Sequence, residues 1–262
     1  MKNLRLPIFA ALMAFALSNV AMAYDFSRAD RLFAARENSP ANIAQARTLY
    51  AAALGQVQGQ ELIYAVERLA KLAYYEGDLL TSPDDKDKRA GIFTQCQEYV
   101  DHINPNNIHS ETAVYYYWKT ACLALWGESV SQWTAMFHVN ELKGLLADGL
   151  RVDPNYEGGG MHRLAAAIYV RSTNMRLVGL YDPAAALTHI NAAIAVGPEY
   201  FNAFLLKGMI LKALDRNDDA LAVLTTAKRQ LEQKLATNSV QEDLLPESKV
   251  FLRQMNDLMS RL

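Results

Sequence analysis

The densest run of chemically capable residues in this sequence is Tyr156-Glu157-Gly158-Gly159-Gly160-Met161-His162-Arg163. Glycine loses more conformational freedom on folding than any other residue, so three in succession ask for a reason. One helix that ends at Pro154 and another that begins near Gly160 predict a tight turn between them. The free backbone N–H groups of the second helix, joined by Arg163 and His162, would form a site for a carboxylate or another anion. An architectural reading stands beside it. The turn lets two helix pairs pack closely, with Arg163 bridging to a carboxylate of the protein. A second group is aromatic: Tyr115, Tyr116, Tyr117 and Trp118 are consecutive, and Trp126, Trp133 and Phe137 follow. Consecutive residues point to different sides of a helix, so some of these rings must leave the core and line a groove, or else pack between helices with their hydroxyls part-exposed. The candidate ligand- or partner-binding residues are therefore Tyr156, Gly158, Gly159, Gly160, His162 and Arg163 in the turn, with Tyr116, Trp126 and Trp133 from the aromatic group.

The remaining reactive side chains give less. Cys96 and Cys122 are the only cysteines. Each lies on the apolar stripe of its helix, and the two helices are neighbours joined by a loop at Pro105. A disulfide and a pair of buried thiols acting as small hydrophobes are both compatible with that placement. There is no CxxC motif, so a redox-active role is not expected. His102, His109, His138, His162 and His189 are scattered, and none pairs with another at metal-ligand spacing on one helix. His138 and Glu141, three apart, read as a surface contact. Nucleophile elbows, zinc-helix patterns, phosphate loops, dinucleotide fingerprints and calcium loops are all missing from the sequence. The expectation is a protein without catalytic residues, metal or cofactor, which works by binding.

The elements that must position these groups are helical. Ile43, Ala46, Leu49, Tyr50 and Ala53 form one stripe at helical spacing; Leu62, Val66, Leu69 and Ala73 form another; Val114, Trp118, Cys122 and Leu125 form a third. Ser39 caps a helix that opens at Pro40, and no segment alternates as a strand does. The clearest repeat runs from Asp182 to Leu231. Ala186, Ile190, Ala193 and Pro198 stand at the small, large, small and terminating places of a tetratricopeptide second helix. Ala220, Leu224 and Ala227 recur 34 residues later, with Phe204, Gly208 and Leu211 in the first-helix places between them. Small residues let paired helices approach, and large ones fill the space beside them. Leu142, Leu146, Gly149 and Pro154 repeat the ending, as do Phe93, Val100 and Pro105. The proline intervals of 49 and 44 residues make the array irregular. The predicted fold is all-α: irregular tetratricopeptide-like hairpins in a curved bundle or solenoid, one domain over residues 24–262, with a final helix from Gln241 to Leu262 covering the last hairpin.

Residues 1–23 read as a secretory signal peptide. Lys2 and Arg5 precede the apolar run Ile8 to Leu17, and Ala21-Met22-Ala23 is a small-x-small cleavage signal. No cysteine follows to carry a lipid, so the expected product is periplasmic, cleaved after Ala23 and without a membrane anchor. The charge balance is 26 Lys and Arg against 28 Asp and Glu, with no basic block, which argues against nucleic acid as a partner.

Taken in order, these segments resemble a known family. A tryptophan-bearing helix (Trp126, Trp133) precedes a long helix ending in Leu150-Arg151-Val152-Asp153-Pro154. The glycine turn with Arg163 follows, then Gly179-Leu180-Tyr181-Asp182-Pro183 and the repeat from Ala186 to Ala227. This looks like the T-component of tripartite ATP-independent periplasmic (TRAP) transporters, over roughly residues 113–231. The resemblance implies a non-enzymatic adaptor with a central ligand-accessible cavity beside Gly158, Gly159, Gly160 and Arg163. It also implies association with a solute-binding subunit, a small organic-acid or apolar ligand, and a homotrimer among the assembly states. Family members are often lipoproteins, and this chain departs from them there. A general protein-interaction scaffold of the cell envelope is the alternative.

Overall fold

A computed structural model describes residues 24–104 and 109–262; the expected signal peptide over residues 1–23 and the expected loop at Pro105 lie outside the described residues. Among the described residues every regular element is a helix. They are α1 (Ser27–Ala34), α2 (Pro40–Ala53), α3 (Gly59–Tyr74), α4 (Lys86–Val100), α5 (His109–Ser129), α6 (Gln132–Met136), α7 (Val139–Val152), α8 (Tyr156–Arg171), α9 (Pro183–Val196), α10 (Phe201–Ala213), α11 (Asn217–Ala236) and α12 (Leu245–Met259). A π-helical turn, Tyr75–Leu80, prolongs α3, and a 3-10 segment, Thr173–Val178, links α8 to α9. None of these helices is long and apolar enough to cross a membrane.

The helix starts follow local chemistry. The Ser39 hydroxyl accepts from the Ala41 N–H ahead of Pro40, and the Asp182 carboxylate accepts from Ala184 and Ala185 N–H ahead of Pro183. In both, proline occupies the first helical position, where no N–H is needed. Packing then proceeds between sequence neighbours. The first five helices share one apolar core that includes Phe33, Tyr50, Leu69, Phe93 and Trp118. Helices α8, α9 and α10 meet through Ala166, Ala186, Ile190, Ala193 and Ile210. Helices α10 to α12 meet through Phe201, Leu224, Leu231 and Met255.

Helices α4 and α5 are joined by a disulfide between Cys96 and Cys122, whose Cα atoms are 5.9 Å apart. The linkage spans 26 positions. A closed loop of that size restricts the unfolded chain by about 3 kcal/mol in the chain-entropy view. The double variant Cys96→Ala/Cys122→Ala is expected to lose roughly that much stability, read as a lower urea midpoint with a somewhat steeper slope, since the unbridged denatured chain exposes more surface. An equal midpoint with and without the bridge would show that it contributes nothing.

The final helix does more than cover the last hairpin. Glu247 of α12 receives two hydrogen bonds from the guanidinium of Arg36, at 2.5 and 3.2 Å, and Arg36 also donates to the Asp243 carbonyl at 2.6 Å. Arg36 is 1% exposed. Arg68 pairs with Asp243 at 2.7 Å and Lys249 with Glu37 at 2.8 Å. The C-terminal helix is thus tied to the N-terminal hairpins, and a space partly open to solvent lies between the helices.

Candidate functional site

That space is a cavity of about 950 Å³. Its walls come from the end of α3 and its π-turn, from α5, from α8, and from α10 and α12. Leu125, Leu164, Leu205, Met209 and Phe251 supply apolar wall; Lys71, Asp78, Arg163 and Arg171 supply charge.

Helix α3 shows how the sequence builds one side. It is buried almost all round, through Ile63, Ala65, Val66, Leu69, Ala70, Leu72 and Ala73. Yet Glu67, Lys71, Tyr74 and Asp78 stand four, three and four residues apart, which aligns them on one helical face. A polar line on a helix that is otherwise in the core must face an internal space. Lys71, Tyr74 and Asp78 line the cavity. The π-turn carries Asp78 between two guanidinium groups: Arg171 at 2.8 Å and Arg89 at 3.3 Å. Arg171 also reaches Glu128 at 2.6 Å. Burial works to raise the Asp78 carboxyl, but Arg171 and Arg89 outweigh it and hold Asp78 below the usual aspartate range. Two cations and two anions here compensate one another.

The glycine turn forms the opposite wall. Glu157, Gly158 and Gly159 all have positive φ, at 51°, 58° and 80°, before regular helix resumes at Gly160. This left-handed stretch is open to glycine and unfavourable for Glu157, so something must hold it. Arg163 does: its Nη1 donates to the Gly158 carbonyl and its Nη2 to the Glu157 carbonyl, each at 2.6 Å. Its guanidinium also stacks on the Tyr200 ring at 4.0 Å. Arg163 is 4% exposed. The expected bridge from Arg163 to a carboxylate of the protein is replaced by these carbonyl bonds. No carboxylate forms an ion pair with Arg163 among the described residues. The turn also presses against neighbouring backbone. A methyl group on Gly159 would lie 3.0 Å from Ala193 Cα. Tight helix approach and placement of a basic group therefore occur together.

Lys71 links the two walls. Its ammonium lies 2.9 Å from both Glu67 and Glu157. Tyr156 donates to Glu67 at 3.3 Å and Tyr200 to Glu157 at 3.4 Å. Burial pushes the Glu67 carboxyl above the usual glutamate range, and the adjacent Glu157 carboxylate adds to that rise. For Glu157 burial acts in the same direction, but Lys71, Glu67 and Arg163 outweigh it and hold the carboxyl low. Signs follow from linkage. A raised carboxyl weakens the fold above its folded pKa, and that penalty is relieved as pH falls through it. The depressed Glu157 and Asp78 contribute stability above the ordinary carboxyl range, and it is lost as pH falls through their folded values. Stability should rise on mild acidification and then collapse in stronger acid. Glu67→Gln is expected to make the rising limb shallower while leaving the acid collapse, as read from urea midpoints between roughly pH 3 and pH 8. Glu128 and Glu247, also pushed up by burial, retain part of the rise. A rising limb unchanged in the variant would overturn the assignment to Glu67.

Among the described residues, three buried polar atoms have no hydrogen-bond partner: Arg163 Nε, Trp118 Nε1 and Asn202 Oδ1. All three residues line this one cavity. Buried polar groups are normally paired, and these three atoms are exceptions that lie behind the cavity surface rather than on it.

The sequence candidates divide accordingly. Of the turn candidates Arg163 lines the cavity; Gly158, Gly159 and Gly160 do not, because they are spent on packing against α9 and Tyr117, and Tyr156 packs behind the wall with its ring 5.2 Å from that of Tyr117. His162 does not line it; it turns outward to His189, with 2.9 Å between their Nδ1 atoms. Tyr116 also misses the cavity. Its neighbours Tyr117 and Trp118 face inward instead, while Tyr116 packs beside Gly149. Trp126 borders a separate space of about 650 Å³ next to α7, with its ring 5.0 Å from His138. Trp133 is 75% exposed on α6. Lys71, Asp78, Arg171, Tyr200 and Asn202 were not foreseen. The first two had a readable signal in the polar line of α3. No family model matches the chain, and no curated protein does either.

Proposed function

We propose that this chain is an exported, non-enzymatic binding protein of irregular tetratricopeptide-like hairpins, which takes a small organic acid with an apolar body into its central cavity. The observation that carries this reading is Arg163: a buried guanidinium on the cavity wall that forms no ion pair with a carboxylate among the described residues. Lys71 and Arg163 stand on the same wall as Glu157, and Lys71 is the one that Glu157 pairs with, which leaves Arg163 as the basic group for an anion. The apolar residues of α5, α8, α10 and α12 suit a hydrocarbon body.

The repeat reading is supported by the crossings. Ala186, Ala193, Ala220 and Ala227 are all at most 1% exposed, and Gly208 packs directly on Leu224. On this reading the protein acts as an adaptor of the TRAP T-component kind, in the periplasm, with a solute-binding subunit as partner and self-association into a trimer. The test uses octanoate and 1-octanol, which share an apolar body and differ in charge. Octanoate should raise the melting temperature and quench tryptophan fluorescence at lower concentration than octanol. Equal responses would remove the anion from the reading, and no response to either would remove the cavity.

The scaffold reading has one observation in its favour. Trp133 on α6, Phe137 just after it and Leu177 on the adjacent 3-10 segment are 75%, 86% and fully exposed, and the two segments are joined by a 2.7 Å hydrogen bond from Gln132 to the Asn174 carbonyl. Large exposed apolar groups on neighbouring segments mark contact surfaces. A pull-down from periplasmic extract that recovers envelope-assembly factors, and no solute-binding subunit, would favour it.

A further inference from the structure

Two neighbouring segments of the chain carry large apolar side chains that nothing covers. Trp133 and Phe137 stand one helical turn apart at α6, and Leu177 projects from the 3-10 segment that the Gln132 hydrogen bond holds beside it. We propose that this patch docks the protein peripherally on a lipid surface that bears negative charge, with the three side chains in the interfacial layer and Arg176 and Lys143 among the phosphate groups.

The charge around the patch suits that occupant. Residues 131–138 and 172–181 contain no aspartate or glutamate. They carry Arg176, exposed beside Leu177 and held over the Tyr181 ring at 4.7 Å. Lys143 of α7 joins it, because its ammonium donates to the Val178 carbonyl at 2.6 Å. Neither cation forms an ion pair among the described residues. The flanking carboxylates are engaged elsewhere: Glu128 with Arg171, Glu141 with His138, and Asp182 as the cap of α9. Cations beside an apolar patch free of carboxylates are drawn to an anionic headgroup layer.

Chemistry and shape favour lipid over a protein partner. The tryptophan ring is amphipathic and settles at the membrane–water boundary, where phenylalanine and leucine add apolar depth. A side chain as exposed as Leu177 stands in solvent on every side. A protein partner needs a pocket cut for each such tip, whereas fluid acyl chains part around it. The three side chains offer roughly 500 Å², short of the ~800 Å² per partner of a stable protein interface. The same two segments wall the second space, through Gln132, Ala135, Asn174 and Met175, so docking sets that space beside the bilayer. Trp133, Phe137 and Leu177 do not line the central cavity, and the docking surface does not rest on the organic-acid reading.

The experiment is flotation of the mature chain, residues 24–262, with vesicles of pure phosphatidylcholine and of equal parts phosphatidylcholine and phosphatidylglycerol. Binding about tenfold tighter to the mixed vesicles is expected, and it should weaken as salt is added. Tryptophan emission should shift to the blue on binding, and Trp133→Phe should abolish that shift while Trp118 and Trp126 remain. Phe137→Ser with Leu177→Ser should weaken binding at least tenfold. Arg176→Gln with Lys143→Gln should bring the two vesicle types level. All four positions are exposed, so the variants should keep the wild-type circular dichroism and melting temperature. No flotation with either vesicle, or flotation that both double variants leave intact, would overturn the proposal. So would a chain that ignores vesicles and uses Phe137 and Leu177 to bind a protein or a second copy of itself.

Discussion

Replacing Arg163 with methionine is expected to lower stability by about 4 kcal/mol and to abolish the advantage of octanoate over octanol. Here the loss has two identifiable parts. The Glu157 and Gly158 carbonyls each lose a 2.6 Å charge-assisted bond, and both belong to residues in the left-handed region. A buried carbonyl left unpaired costs about 1 to 3 kcal/mol, and the strained turn loses its clamp. Methionine keeps much of the stem volume, so the Tyr200 ring still has a neighbour. Urea titration of the variant reads the first effect and ligand titration the second. Arg163→Lys separates them. Lysine retains the positive charge but lacks the fork that reaches two carbonyls together. It should keep a preference for octanoate on a less stable fold. A folded Arg163→Met variant that still prefers octanoate to octanol would sink the proposed role.

How far the sequence could be read depends on the scale of each interaction. Helix bounds follow from local chemistry, and Ser39-Pro40 and Asp182-Pro183 both start helices where the sequence places them. Helical periodicity predicts an all-α chain, and every regular element among the described residues is a helix. The glycine turn is visible because three glycines have few uses. What Arg163 bonds to was not visible. The choice between a carboxylate and two backbone carbonyls depends on how the chain passes five and six positions earlier, and periodicity does not encode that. Register of the aromatic run was similarly open. Tyr116 and Tyr117 differ by one step of the helix, and only the placement of α8 and α12 decides which faces the cavity. The line Glu67, Lys71, Tyr74 and Asp78 was legible in principle, since charge on a helix with apolar residues on every other side implies an internal polar space. The pairing of His162 with His189 was not, because a search along single helices cannot find contacts that two helices share.

Gly197→Ala is the second large effect, and it tests whether close backbone contact is what holds the site's wall. Gly197 ends α9 with φ −132°, a conformation that any residue adopts. Its need for glycine is therefore one of space alone. A methyl group there would stand inside contact distance of the Gly158 carbonyl oxygen, 3.0 Å from the Gly158 carbonyl carbon and 2.9 Å from Tyr200 Cδ2. Backbone atoms cannot swing aside as side chains do, and that carbonyl is one that Arg163 clamps. Overpacking a tight site costs about 1 to 3 kcal/mol, and more where backbone must move, so the expected loss is about 4 kcal/mol. The turn would have to lift off the end of α9, carrying Arg163 with it, so octanoate binding should weaken in the same variant. Gly144→Ala is the matched control. Gly144 sits inside α7 with nothing within 4 Å of where a methyl group would stand, and alanine there should stabilise by about 1 kcal/mol through helix propensity. If Gly197→Ala is as benign as Gly144→Ala, the turn is not pinned to α9, and Arg163 would have to be held on the cavity wall by Tyr200 alone.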